Sequence, residues 1–124
     1  MPGGRVTTEP AALIPIGLDH IMLSVADVDK SAAYYRKLFG AEGSRERNPQ
    51  RVWFKLADTK LGLEAAPAGR KPSFSHFCVK ISGFDRAVAT VRLQNLGVKV
   101  ETVSEEGTLG FRDLHNLPVE VAAG

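Results

Sequence analysis

Four residues of this 124-residue chain stand at repeating intervals: His20, Glu64, His76 and Glu120. The histidines are 56 positions apart (76 minus 20), the glutamates are also 56 apart (120 minus 64), and each histidine precedes its glutamate by 44. A lone histidine on a half-buried strand usually finds an ordinary hydrogen-bond partner. Two imidazoles matched to two carboxylates are a different signal, because together they form the donor set of a divalent cation with one or two open positions. Such a set suits Zn, Ni, Mn or Fe(II), and two histidines with one carboxylate suit a facial Fe(II) site. A cation also answers an energetic problem, since carboxylates in a concave, water-poor site are costly unless compensated. Lys80 could compensate one of them, but it would not explain why each glutamate has a histidine in the same register.

The elements that must carry these residues repeat as well. GLDHIMLSV reads as a strand on which Ile21, Leu23 and Val25 share one face and His20, Met22 and Ser24 the other. DVDKSAAYYRKLFGAE follows as a helix, with Asp29 as N-cap and Gly40 at its C-terminal end. A weak strand over 42–47 then leads to RVWFKLA and LGLEAA, a hairpin around Asp58, Thr59 and Lys60. FSHFCVKI opens the second round. FDRAVATVRLQNLG is its helix, capped by Asp85 and stopped by Gly97; VKVETV is a weak strand, and TLGFRDL with LPVEVAA closes a hairpin at His115 and Asn116.

The expected architecture is therefore α+β, two tandem βαβββ modules over 18–67 and 74–122 in one domain spanning 18–124. Residues 1–17 read as a flexible arm, with three prolines in the first sixteen positions. Strand parity puts Glu64 with Gly62 and Ala66, and Glu120 with Pro118 and Ala122, so both carboxylates point away from the helix-packing face. His76 shares its face with Cys78 and Lys80, where Cys78 reads as a small buried filler. Trp53 and Phe54 straddle a strand, so one faces the core and the other the concave side.

Composition narrows the partners. A formal charge of +2, from 16 basic and 14 acidic residues spread along the chain, argues against a nucleic-acid surface. No apolar run is long enough for a membrane span or a signal core, and the single cysteine forms no internal disulfide, so the expected setting is the cytoplasm. Arg45, Arg47, Arg51 and Arg70 suit either an anionic substrate at the rim or a solvated surface.

The repeated unit, the opening LDHIMLSVADVDKSAAYYRKLFG, the later SHFCVKI and the closing FRDLHNLPVEV resemble the vicinal oxygen chelate superfamily, which groups glyoxalases, bleomycin resistance proteins and extradiol dioxygenases. The resemblance covers residues 18–122 and implies the half-barrel cup of that fold. It makes His20 and His76 the metal positions of the first and fifth strands, Glu120 the usual glutamate ligand, and Glu64 the additional carboxylate of glyoxalase I. It further implies a homodimer whose active sites are shared between subunits. The implied activity is glyoxalase I- or epimerase-like proton transfer on a small chelating substrate, a lyase or isomerase chemistry with Glu120 and then Glu64 as catalytic carboxylates. Two alternatives stand beside it: Fe(II) extradiol cleavage of a catechol through His20, His76 and Glu120, and metal-free small-molecule binding of the bleomycin-resistance type. The first lacks its usual second-module tyrosine, since Tyr34 and Tyr35 lie on the first helix, and Met22 replaces the polar residue of fosfomycin transferases. The closing hairpin departs from the family pattern at Leu114, His115, Asn116 and Leu117. Asn116 still suits a left-handed turn, and His115 reads as a turn residue.

Overall fold

The structure, a computed structural model, describes residues 11–124; positions 1–10 of the expected arm lie outside the described residues. The elements run β1 (Pro15–Val25), α1 (Val28–Phe39), β2 (Ser44–Arg47), β3 (Gln50–Leu56), β4 (Thr59–Ala65), β5 (Ser73–Ile81), α2 (Arg86–Asn95), β6 (Thr102–Val103), β7 (Leu109–Arg112) and β8 (Pro118–Ala123). The eight strands make one open mixed sheet in the order β2-β3-β4-β1-β5-β8-β7-β6. The two modules join where β1 and β5 pair antiparallel, and each is closed by a parallel pair, β1 with β4 and β5 with β8. This is the expected pair of βαβββ modules.

Each module has its own core on the helix side of the sheet. Val28 and Ala32 of α1 pack with Val25, Val52, Phe54, Leu61 and Leu63. Ala89 and Leu93 of α2 pack with Ile81, Leu109 and Val121. The alternation of each strand thus sends apolar side chains to the helices and leaves the opposite face for polar ones.

Local signals differ in detail from the sequence reading. The N-cap of α1 is Asp27, not Asp29: extended at φ −140°, its carboxylate accepts from the Lys30 amide at 3.0 Å. Asp29 instead lies in the first turn, where the helix dipole favours an acid, and receives Arg45 at 2.7 Å. Asp85 caps α2 as expected, accepting from the Val88 amide. The β3–β4 turn is Ala57–Asp58, with Ala57 at φ 53°, and Asn116 takes the expected left-handed conformation at φ 67°. The sheet begins inside the segment expected to be a loose arm. Ile14 accepts from the Ser82 amide at 2.9 Å, Leu13 packs on the second core, and the Ala12 carbonyl receives Arg92.

Gly62 shows how closely the concave side is filled. A Cβ at this position would lie 2.5 Å from Trp53 Cζ3 and 2.8 Å from Met22 Cε, so the indole and the thioether occupy the space that a side chain would need. The Met22 tail is flexible, but the indole is fixed by its own contacts. Gly62→Ala is expected to cost about 1–3 kcal/mol through overpacking, read as a lower urea midpoint at unchanged slope.

Candidate metal centre

The β1–β5 seam assembles the site. His20 lies opposite Cys78, Met22 opposite His76, and Cys78 in turn opposite Glu120 on β8. All of these side chains lie on the concave face. His20 Nε2 and His76 Nε2 meet at 3.2 Å, and the Glu120 oxygens lie 3.4 Å from the first and 3.5 Å from the second. Donors bonded to a zinc-like cation at about 2.0–2.1 Å with tetrahedral angles stand about 3.3–3.4 Å from one another. The triad therefore has the donor chemistry and the spacing that a first-row divalent ion requires.

The outer nitrogens of both imidazoles are held. Asp19 Oδ2 is 2.8 Å from His20 Nδ1, and Ser75 Oγ is 3.0 Å from His76 Nδ1. Neighbours in a regular strand point to opposite faces, so these bonds need a local irregularity. The β1–β5 register supplies one at each place: it skips Asp19 between Leu18 and His20, and skips Ser75 between His76 and Phe74. Each extra residue is thereby re-aimed beside its own histidine. The carboxylate at Nδ1 places the His20 proton there and leaves Nε2 turned to the triad, the arrangement that makes histidine a strong metal ligand. Sequence reading missed both residues, although Asp19 and Ser75 are themselves 56 apart (75 minus 19).

Charges in the triad are strongly coupled. Burial opposes protonation of His20, but Glu120 and Asp19 outweigh it and raise its pKa above the ordinary 6.5. His76 moves down, chiefly through burial, with His20 and Arg51 adding to the effect. Burial would raise Glu120, yet the hydrogen bond from His20 and the charges of His76, His20 and Arg51 hold it below the usual carboxylate range. Without a cation, His20 and Glu120 each favour the charged form of the other. Beneath them Cys78 is fully buried, and burial pushes its thiol up to about 12, so it is a neutral filler of the floor.

Glu64 lies on the same face but does not meet the triad. The two parallel pairings differ in register: Glu120 stands opposite Cys78, two residues beyond His76, whereas Glu64 stands opposite Ser24, four beyond His20. Two residues of slip preserve the face and carry the side chain about 6.6 Å along the strand. There Glu64 Oε2 accepts from Ser24 Oγ at 3.4 Å, and Oε1 faces Arg51 Nε at 3.4 Å.

A cavity of about 450 Å³ opens over the triad. His20 and Met22 of β1, Ser44 and Glu46 of β2, Arg51 and Trp53 of β3, Lys60 of β4, His76 of β5 and Glu120 of β8 line it, with Ser104, Glu106 and Thr108 from the β6–β7 connection. Trp53 is the concave-side aromatic, set edge-on to His20 at 5.3 Å, while Phe54 is core. Glu46, not singled out from the sequence, accepts from Trp53 Nε1 at 3.1 Å. Lys80, the expected compensating cation, donates to the Asp58 carbonyl of the β3–β4 turn, and Arg45 is taken up by Asp29 and Glu42. His115 is exposed at the last hairpin.

The sequence profile of the Glyoxalase/Bleomycin resistance protein/Dioxygenase superfamily matches residues 17–120. The chain belongs to that superfamily. Among curated proteins, this superfamily member is similar to the mitochondrial methylmalonyl-CoA epimerase of Homo sapiens, 27% identical over 118 residues, an alignment taking in 82% of this chain and 63% of that protein. It thus spans less than two thirds of that relative's length. In fold it matches methylmalonyl-CoA epimerase from Mycobacterium tuberculosis (TM-score 0.69, 17% identity, 92% of this chain and 91% of that one). It also matches the 2,3-dioxygenase LapB from Pseudomonas sp. KL28 (TM-score 0.72, 20% identity, 91% of this chain and 42% of that one). The family expected from the repeated motifs is confirmed, and the named relatives are enzymes. No helix among the described residues is long and apolar enough to cross a membrane. His20, His76 and Glu120 converge within the described chain, where β1 pairs with β5 and β5 with β8.

Proposed function

We propose that this chain is a metal-dependent proton-transfer enzyme of epimerase type, acting on the carbon beside a carbonyl in a small substrate that presents two neighbouring oxygens. The observation that carries this reading is the convergence of His20 Nε2, His76 Nε2 and the Glu120 carboxylate, a donor set in which one member can also move a proton. His20, His76 and Glu120 would hold the ion, while Glu64, expected from the sequence as an additional carboxylate, is turned to Ser24 and Arg51 and stands apart from it. When bound, the cation supplies positive charge against the oxyanion that develops on the substrate carbonyl.

The remaining work belongs to the chain. Glu120, kept ionised by its imidazole neighbours, accepts the proton from the carbon acid and returns it. Inversion at carbon needs proton delivery to the second face, and Glu46 offers a second carboxylate in the same cavity. Trp53 forms an apolar wall that limits water near the reacting carbon, and Asp19 fixes the His20 tautomer. The ring-cleavage alternative draws less support: Tyr34 and Tyr35 are on α1, and His115 is at an exposed turn, so none of them lines the cup. The metal-free alternative leaves the converged triad without a purpose. A homodimer in the cytoplasm is proposed as the working form.

The test is incorporation of deuterium beside the thioester carbonyl of methylmalonyl-CoA in D₂O, with the protein loaded to one equivalent of Zn²⁺, Mn²⁺ or Co²⁺. Exchange well above the buffer rate is expected; buffer-rate exchange at full metal occupancy would sink the proposal. Asp19→Asn keeps an acceptor but removes the charge behind His20, and is expected to weaken metal binding about 10- to 100-fold in chelator competition.

A proton dependence follows from the raised His20 pKa. A proton held on the triad side of His20 must leave before an ion binds. The neutral ligand prevails above the folded-state pKa and is lost as pH falls through it, beginning above 6.5. Metal affinity is therefore expected to drop about tenfold per pH unit below that point, measured by titrations from pH 8.5 to 5.5.

A further inference from the structure

Arg51 is a cup cation to which the proton transfer above gives no task. It shares the concave face of β3 with Trp53 and is cross-strand neighbour to Glu46 on one side and Glu64 on the other. Its guanidinium lines the same cavity as His20, His76 and Glu120, near enough to lower the pKa values of the last two.

Its bonding is unlike that of the other paired arginines. Arg45 holds Asp29 at 2.7 Å and Glu42 at 2.9 Å; Arg36 holds Glu42 at 2.9 Å; Arg112 donates to the Asn116 carbonyl at 3.0 Å. Arg51 Nε lies 3.4 Å from Glu64 Oε1 and is buried, yet among the described residues it has no acceptor in hydrogen-bonding geometry. A guanidinium presents five donors in a planar fork and favours a carboxylate taken two bonds at a time. The Arg51 side chain is 36% exposed, so the cost falls on the one buried nitrogen, Nε, and an anionic oxygen pair entering the cavity would relieve it while also engaging the rest of the fork. Of the neighbouring cations, Lys80 is tied to the Asp58 carbonyl, and Lys60, 5.3 Å over the Trp53 ring and 3.9 Å from Asp19, is a half-exposed point charge without the planar fork.

We propose that Arg51 is the specificity-determining residue that receives a free carboxylate of the substrate, so that the preferred carbon acids carry a carboxylate on the reacting carbon, across it from the carbonyl, as malonyl-type half-acids do. This rests on the proton-transfer reading for the meaning of the cavity, but it is tested by binding alone. Substrate entry would draw Arg51 from its long contact with Glu64 into a forked pair with the ligand.

The experiment is calorimetric titration of the Zn²⁺-saturated protein with malonate and, separately, with uncharged malonamide. Arg51→Gln is expected to weaken malonate about 10- to 100-fold and to leave malonamide within about twofold, with Arg51→Lys intermediate because it keeps the charge and loses the fork. Glu64→Gln at saturating Zn²⁺ separates a receptor from a mere support for Glu64: removing the competing carboxylate is expected to leave malonate binding equal or tighter. The proposal is overturned if Arg51→Gln leaves malonate within twofold, if it weakens both ligands alike, if Glu64→Gln weakens malonate as Arg51→Gln does, or if the wild type binds no malonate. Failure of deuterium exchange with this discrimination intact would overturn the proton-transfer reading and spare the carboxylate receptor.

Discussion

Glu120→Gln is expected to lower the rate of α-proton exchange by on the order of a thousandfold. The substitution is nearly isosteric and keeps one oxygen toward the imidazoles, so what it removes is the basic electron pair that accepts the proton. The Glu120 side chain is 28% exposed and belongs to neither helix-side core, so the variant should fold as the wild type does. Glu64→Gln is the informative companion. It changes the residue at the equivalent position of the other module, and the two-residue slip between the parallel pairings predicts a loss of about tenfold or less. Exchange rates of the two variants at matched metal occupancy check both expectations. Equal losses would mean that the register difference does not separate the two carboxylates.

The second large effect concerns metal affinity. A four-ligand zinc site gathers about 10–16 kcal/mol of apparent binding free energy, so one ligand accounts for about 3–4 kcal/mol and its removal for a loss on the order of a hundred- to a thousandfold. His76→Ala should show that loss directly. Its side chain is 16% exposed and lies outside both cores, so the metal-free variant should unfold near the wild-type Tm. The consequence for heating experiments is specific. An ion at a hundred times its Kd stabilises the folded wild type by about 2.7 kcal/mol and shifts Tm upward by several degrees, whereas the same ion concentration should leave His76→Ala almost unmoved. An equal shift in both proteins would place the ion elsewhere.

The parts of this site that were legible in the sequence are those carried by residue type and spacing. The interval of 56 exposed the duplication, strand parity placed His20, His76, Glu64 and Glu120 on one face, and the motifs named the family. The parts that were not legible depend on register. An interval of 44 within each module says nothing about which residue of β1 lies beside Glu64, and there the structure parts from the symmetric reading. Asp19 and Ser75 were passed over for a related reason: in a regular strand the neighbour of an inward residue faces outward, and only the irregular pairing brings each back to its histidine. The shift of the α1 cap from Asp29 to Asp27 is a smaller instance, since two aspartates stand near the helix start and only the backbone shows which is extended; Asp27 is, while Asp29 pairs with Arg45.

The slip between the modules also bears on how an unsymmetrical molecule can lie in the cup. If the duplicated halves matched in every residue, the cavity would possess a twofold axis, and a substrate could enter in two equivalent poses, only one of which sets its reacting carbon against a base. Asp19 answered by Ser75, and Glu120 answered by a Glu64 turned to Arg51, remove that degeneracy. Glu120 then stands in one half of the cup and Arg51 in the other. Repetition supplied the matching parts, and their misalignment supplied a direction.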